Sequence, residues 1–170
     1  ITHEHEDHLD GETMGQIAKL QPTVLAPNSC HTPLMDAGVP QDLLVTATYG
    51  NIQEFDGFSV EVVPADHTSA LFASRPPDAC GFLLRTEHGN IYILGDGNFD
   101  HAYKEKVTGL EVDYLLLPIN DTNLGVGFAA LMTHLLQPRV VVPCHYGFIY
   151  PPVRSQGGHP AEFVTALAAR

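Results

Sequence analysis

Histidines and acidic residues alternate near the start of the chain, in the run His3-Glu4-His5-Glu6-Asp7-His8. In an extended segment, residues two apart point to the same side, so His3 and His5 project together while Asp7 and His8 turn toward a neighbouring point. Imidazole nitrogens and carboxylate oxygens bind divalent cations, and such a run can serve two ions about 3.5–4 Å apart. The pattern therefore predicts a metal-binding loop between a strand and a helix.

Composition excludes several classes of partner. The chain has 170 residues, of which 44% are hydrophobic, and this is the size of one domain, spanning residues 1–170. The formal net charge of −12 repels phosphate backbones and anionic lipid headgroups, so neither nucleic acid nor a membrane is an expected partner. A small-molecule substrate is expected, and the sequence leaves a homo-oligomer open.

The cysteines indicate a reducing compartment. Cys30, Cys80 and Cys144 are odd in number, widely spaced and form no Cys-x-x-Cys pair. This usage does not suit a disulfide framework, so we expect free thiols and a cytoplasmic protein.

Hydrophobic periodicity and turn residues predict short strands that alternate with helices. The expected helices cover residues 10–20, 29–37, 128–136 and 160–169. The expected strands cover residues 23–26, 43–48, 52–55, 58–63, 80–86, 91–94, 113–119 and 139–143. This alternation of buried strands and helices is typical of a layered α/β fold.

Three further metal-binding candidates each stand just past an apolar run. His67 follows the strand that ends at residue 63, Asp96 lies in Gly-Asp-Gly after residues 91–94, and His145 lies in Pro-Cys-His-Tyr-Gly after residues 139–143. Binding and catalytic residues concentrate in loops at such strand ends. We therefore expect these side chains to join the His run.

The His run, followed by these residues in this order, resembles the metallo-β-lactamase superfamily. The resemblance implies an αββα sandwich, and because the sequence begins at the run, the strands that precede the run in the family are expected to be missing from it. It also implies two divalent cations, zinc or manganese, with iron as an alternative. It assigns His3, His5 and His67 to one ion, Asp7, His8 and His145 to the other, and Asp96 to a bridge between them.

The ligand types and three later segments narrow the resemblance to one branch of the superfamily. A Cys at the bridging position would indicate the zinc β-lactamases, a Glu in place of His5 would indicate the diiron oxygen-reducing members, and neither is present. Residues 112–120, the run Val-Val-Pro-Cys-His-Tyr-Gly-Phe and the final Pro-Ala-Glu-Phe helix resemble the branch of L-ascorbate-6-phosphate lactonase. This favours a lactonase that acts on a small polar lactone, including a phosphorylated one.

The expected reaction uses a metal-bridging hydroxide, which attacks the substrate while a metal polarises the substrate oxygen. Asp7 would orient the hydroxide and pass its proton to the leaving group. Tyr146 would donate a hydrogen bond to the developing oxyanion, or else it is a loop aromatic that covers the core. Arg75 or Arg154 would hold a substrate phosphate or carboxylate, or else both are surface residues that favour solubility. Two alternatives stay open: a phosphodiesterase or phospholipase on the same site, and a metal-binding protein without turnover.

Overall fold

The computed structural model describes residues 1–67, 76–98, 101–147 and 157–169. The helices are α1 (Gly11–Ala18), α2 (His31–Asp36), α3 (His101–Val107), α4 (Gly125–Leu136) and α5 (Pro160–Ala168). The strands are β1 (Val24–Ala26), β2 (Leu44–Thr46), β3 (Ile52–Phe55), β4 (Phe58–Pro64), β5 (Cys80–Thr86), β6 (Gly89–Ile93), β7 (Tyr114–Pro118) and β8 (Val140–Cys144). Short 3-10 turns at Asn28–Cys30 and Gln41–Leu43 precede α2 and β2.

Two sheets are present in the described part of the chain. The larger has six strands in the order β3-β4-β5-β6-β7-β8, antiparallel from β3 to β6 and parallel from β6 to β8. Helices α3 and α4 lie in the two parallel crossovers, which require such a connection. The smaller sheet is the parallel pair β1–β2.

Strands β4 and β5 are apolar on both faces because each face is covered. Val63 and Leu83 belong to the cluster formed with helices α3, α4 and α5, whereas Val62 and Phe82 belong to a second cluster on the opposite face, against which Leu25 of β1 packs. Alternate residues of a strand point to opposite faces, so one short sequence supplies both cores.

Helices α1 and α2 cover the outer side of the small sheet. Met14 and Leu34 are buried in one cluster with Val24 and Ala26 of β1. Asp10 caps α1 by accepting a hydrogen bond from the Thr13 amide, as its position predicts. The layers are therefore helix, sheet, sheet and helix, and the predicted α/β class is confirmed.

Four elements differ from their predictions. Helix α3 was not predicted, α4 begins at Gly125 rather than at residue 128, and β2 is shorter than residues 43–48 because its partner β1 has only three residues. Strand β8 was predicted to be buried, yet Val140 and Val142 are 46% and 44% exposed. It is the last strand of the sheet in the described part of the chain, and its residues alternate between exposed and half-buried, so the described residues leave one of its faces uncovered.

None of the helices that the structure describes is long and apolar enough to cross a membrane.

Candidate metal centre

The fold brings together all seven residues of the predicted metal site. Strands β4, β6 and β8 run in the same direction, so their carboxyl ends lie at the same end of the large sheet. His67 follows β4, Asp96 follows β6 and His145 follows β8, while the His run lies between residue 1 and α1. Their ligand atoms form two groups, and within each group all lie within 4.8 Å of one another.

The first group consists of His3, His5 and His67. Nδ1 of His5 lies 3.1 Å from Nε2 of His3 and 3.1 Å from Nε2 of His67. A neutral imidazole has one donor and one acceptor nitrogen, so three rings that aim one nitrogen each at a common point cannot all be satisfied by one another. A cation accepts all three lone pairs, and tetrahedral zinc would hold such nitrogens about 3.3 Å apart. These residues fit a divalent ion.

The second group consists of Asp7, His8, Asp96 and His145. Nε2 of His145 lies 3.1 Å from Oδ2 of Asp7 and 3.2 Å from Oδ2 of Asp96, and Nε2 of His8 lies 3.3 Å from Oδ1 of Asp96. Two imidazoles and two carboxylates suit zinc and manganese alike.

Asp96 contacts both groups. Its Oδ2 atom lies 3.9 Å from Nε2 of His67 in the first group, in addition to its contacts in the second, and the residue is only 6% exposed. One carboxylate within reach of both ligand sets has the placement that a bridging ligand requires.

Burial and neighbouring charges shift the pKa values of the site histidines in opposite directions. Burial, reinforced by the charge of His8, lowers the pKa of His3 to about 3, and burial also lowers the pKa of His67. Burial would lower the pKa of His145 too, but its hydrogen bond to Asp7 and the charges of Asp96 and Asp7 outweigh burial and raise it. His3 and His67 are thus held as neutral imidazoles, which is the form that binds metal.

Both carboxyls of the second group are held in the ionised form. The hydrogen bond from His145 is the main cause that lowers the pKa of Asp7. Burial acts to raise the pKa of Asp96, but the hydrogen bond and charge of His8, together with the charge of His145, keep it well below the usual range. Ionised carboxylates in contact with imidazoles are prepared to bind a cation.

Two residues that back the ligands were not predicted. The Thr2 hydroxyl lies 3.1 Å from Nδ1 of His3 and 3.5 Å from Nδ1 of His8, so one side chain contacts a member of each group. Asn123, between β7 and α4, contacts both Asp96 and His145. In the sequence, only the position of Thr2 directly before the His run indicates a contact with the ligands. Nothing in the sequence indicates such a contact for Asn123.

The remaining predicted site residues lie at the margin or beyond it. The Asp7 side chain is 35% exposed, and Tyr146, next to His145, is 44% exposed. Arg75 and Arg154 lie outside the described residues. Cys30, Cys80 and Cys144 are free thiols, as predicted.

Comparison with known proteins identifies the family. The model of the beta-lactamase superfamily domain matches residues 1–145. A UPF0173 metal-dependent hydrolase of Pyrobaculum calidifontis is 30% identical over 99% of this chain and 72% of its own length. Another, from Pyrococcus abyssi, is 32% identical over 96% of this chain and 70% of its own length.

A solved structure shows the same fold. Igni18, a metallo hydrolase from the hyperthermophilic archaeon Ignicoccus hospitalis, superposes with a TM-score of 0.77 at 25% identity, covering 99% of this chain and 70% of that protein. The predicted metallo-β-lactamase fold is confirmed. The chain thus belongs to the beta-lactamase superfamily and, within it, to the UPF0173 metal-dependent hydrolases.

Proposed function

We propose that this chain is a two-ion hydrolase that opens a lactone or a related ester of a small polar substrate. The observation that carries the proposal is the convergence of His3, His5 and His67 on one point and of Asp7, His8 and His145 on another, with Asp96 in reach of both. Divalent ions held there would supply Lewis-acid polarisation of a substrate oxygen and an activated water.

Asp7 is the residue of this set best placed to handle a proton. Its side chain is more exposed than that of Asp96, at 35% against 6%, and Oδ2 lies 3.1 Å from Nε2 of His145. Its depressed pKa keeps the carboxylate ionised at neutral pH, so it can accept a proton from an attacking water and return it to the leaving alkoxide.

A neutral carbonyl substrate fits the charges around the site better than a phosphodiester does. Four of the cations that the structure describes are engaged elsewhere: Arg85 with Glu61, Arg139 with Asp113, Lys106 over the Tyr49 ring and Lys19 with Gln16. Phosphodiester substrates usually bind where Arg or Lys can pair with the phosphate. Among the described residues, this favours the lactonase over the phosphodiesterase or phospholipase alternative. Arg75 or Arg154 beside the metal ligands would favour that alternative instead.

The branch resemblance supports the same substrate class, since L-ascorbate-6-phosphate lactonase opens a cyclic ester. Tyr146 would then donate to the developing oxyanion from its exposed position beside His145. A phosphate on the substrate would need a cation, and Arg75 and Arg154 are the candidates that we propose for it.

A hydrolysis panel tests the proposal. Metal-stripped protein is reloaded with Zn²⁺ or Mn²⁺ and assayed on lactones, thioesters and phosphodiesters, with Asp96→Ala alongside. We expect lactone hydrolysis that needs metal and is lost in the variant. Bound metal without hydrolysis of any substrate would instead favour a metal-binding protein without turnover, and preference for phosphodiesters would favour the alternative enzyme.

A further inference from the structure

The loop between β7 and α4 carries an amide that contacts two ligands from different parts of the chain. Nδ2 of Asn123 lies 3.5 Å from Nδ1 of His145 and donates a hydrogen bond to the Asp96 carboxylate. His145 turns its other nitrogen, Nε2, toward Asp7 and Asp96. Asn123 is therefore behind the ligands, on the side away from the point where the second group converges.

Asn123 is itself held by a closed loop. The amides of Asn123 and Gly125 both donate to the Asn120 carbonyl, at 3.2 and 2.8 Å. Asn120 is fully buried, and its Nδ2 donates to the Thr122 hydroxyl at 2.5 Å. These hydrogen bonds within the loop fix its conformation, so the Asn123 side chain is held in one place.

His145, which Asn123 contacts, has an unfavourable backbone conformation. His145 has a φ of +50°, a left-handed conformation that is unfavourable for a residue with a Cβ. The Ile119 amide donates to the Cys144 carbonyl at 3.1 Å, which joins the base of the Asn123 loop to the residue before His145. Backbone and side chain thus hold His145 from the same loop.

We propose that Asn123 is a positioning residue that fixes Asp96 and His145 for the second metal ion, an inference that rests on the two-ion site proposed above. Partners that orient metal ligands in this way change metal affinity by about 10–100-fold when removed. His145 belongs to the second group alone, and Asp96 lies nearer to that group, at 3.2 Å from His145 and 3.3 Å from His8 against 3.9 Å from His67. The loss of Asn123 should therefore weaken the second group far more than the first.

The test measures metal affinity in two backgrounds that each keep one group. His5→Ala leaves the second group intact, and His8→Ala leaves the first. Zn²⁺ affinity is measured by chelator competition, and Co²⁺ absorption reports the ligand geometry. Asn123→Ala and the near-isosteric Asn123→Leu are compared with Asn51→Ala, which removes an amide from an exposed turn.

We expect both Asn123 variants to weaken Zn²⁺ binding about 10–100-fold in the His5→Ala background, to change the Co²⁺ spectrum there, and to leave affinity in the His8→Ala background within about twofold. Asn51→Ala should change neither. Unaltered affinity in the His5→Ala background would overturn the inference. Equal weakening in both backgrounds, with a lower Tm of the metal-free protein, would also overturn it by showing a structural role. A parent protein that binds no metal would refute the proposed function as well, whereas a parent that binds and hydrolyses while the Asn123 variants match it refutes this inference alone.

Discussion

Asp96 and Thr2 each contact both ligand groups. Asp96 lies among the ligand atoms, and Thr2 contacts the ring nitrogens that point away from them. Asp96 offers a carboxylate to both groups, whereas the Thr2 hydroxyl contacts the outer nitrogens of His3 and His8. A hydroxyl has two acceptor lone pairs, so it can accept from both Nδ1–H groups and leave both Nε2 atoms free for metal.

Replacing the hydroxyl of Thr2 without changing its shape tests this role. Thr2→Val should weaken binding of both ions by about 10–100-fold, because it removes the partner that orients one imidazole of each group. Thr2→Ser keeps the hydroxyl and should bind like the parent. Titration of the metal-free proteins with Zn²⁺ distinguishes them, and equal affinity of the Val and Ser variants would contradict the assignment.

Asp7 is predicted to act on protons in addition to binding metal. Asp7→Asn keeps an oxygen that can reach the metal but cannot accept a proton at neutral pH, so turnover should fall by about 10²–10⁴-fold. Glu6→Gln, at the exposed neighbouring position, should keep parental turnover. Rates are compared at equal metal content; an Asp7→Asn variant with two ions and full turnover would refute the role.

Among the helices and strands, the predicted bounds agree with the structure where the local sequence pattern specifies the element. They differ where the element forms through packing against the rest of the chain. The hairpin strands β3–β4 and β5–β6 lie close to their predicted bounds, because alternation and Gly-containing turns specify them locally. Helix α3 was not predicted, since its short sequence becomes a helix through Tyr103 and Val107, which are buried in the main core.

The candidate site follows the same division. Four of the seven proposed ligands could be predicted from the spacing of the His run. The other three, His67, Asp96 and His145, could be predicted because each stands just past an apolar run, in the order of the family that the sequence resembles. Asn123 could not, because an amide in a loop is an ordinary residue until the chain folds and places it beside Asp96 and His145.

The turn after β6 is predicted to require glycine at position 95. Gly95 has a φ of +68°, and a Cβ there would lie 3.0 Å from Cβ of Thr2. Gly95→Ala should therefore lower the free energy of unfolding by about 1–3 kcal/mol and weaken metal binding through Thr2 and Asp96. Gly11→Ala, in α1 with open space around it, is the matched control. Denaturant unfolding measures both, and parental stability of Gly95→Ala would contradict the prediction.

At the scale of the whole molecule, the buried histidines make the stability of the metal-free protein depend on pH. His3 and His67 have lowered pKa values in the folded state, so below pH about 6.5 the unfolded chain binds protons that the folded chain excludes, and stability falls as pH falls. His145 has a raised pKa, so the stability that it contributes below pH about 6.5 is lost as pH rises through its folded value.

The metal-free protein should therefore be most stable near pH 6.5–7. Its stability should fall toward pH 5, by up to about 1.4 kcal/mol per pH unit for each of His3 and His67. Thermal unfolding between pH 5 and 8 measures the profile. The fall in stability toward pH 5 should become shallower in His67→Asn, which keeps His3, and should be unchanged in His88→Gln, whose side chain is 87% exposed. Stability that rises steadily toward pH 5 would be the opposite of this expectation.

Asp96 is proposed to join the two ligand groups into one hydrolytic site, and this is tested by measuring metal content and hydrolysis on the same samples. Native mass spectrometry of the parent should show two Zn²⁺ ions per chain together with metal-dependent lactone hydrolysis. Asp96→Ala should hold at most one ion and lose hydrolysis. Two ions and parental hydrolysis in Asp96→Ala would contradict the claim.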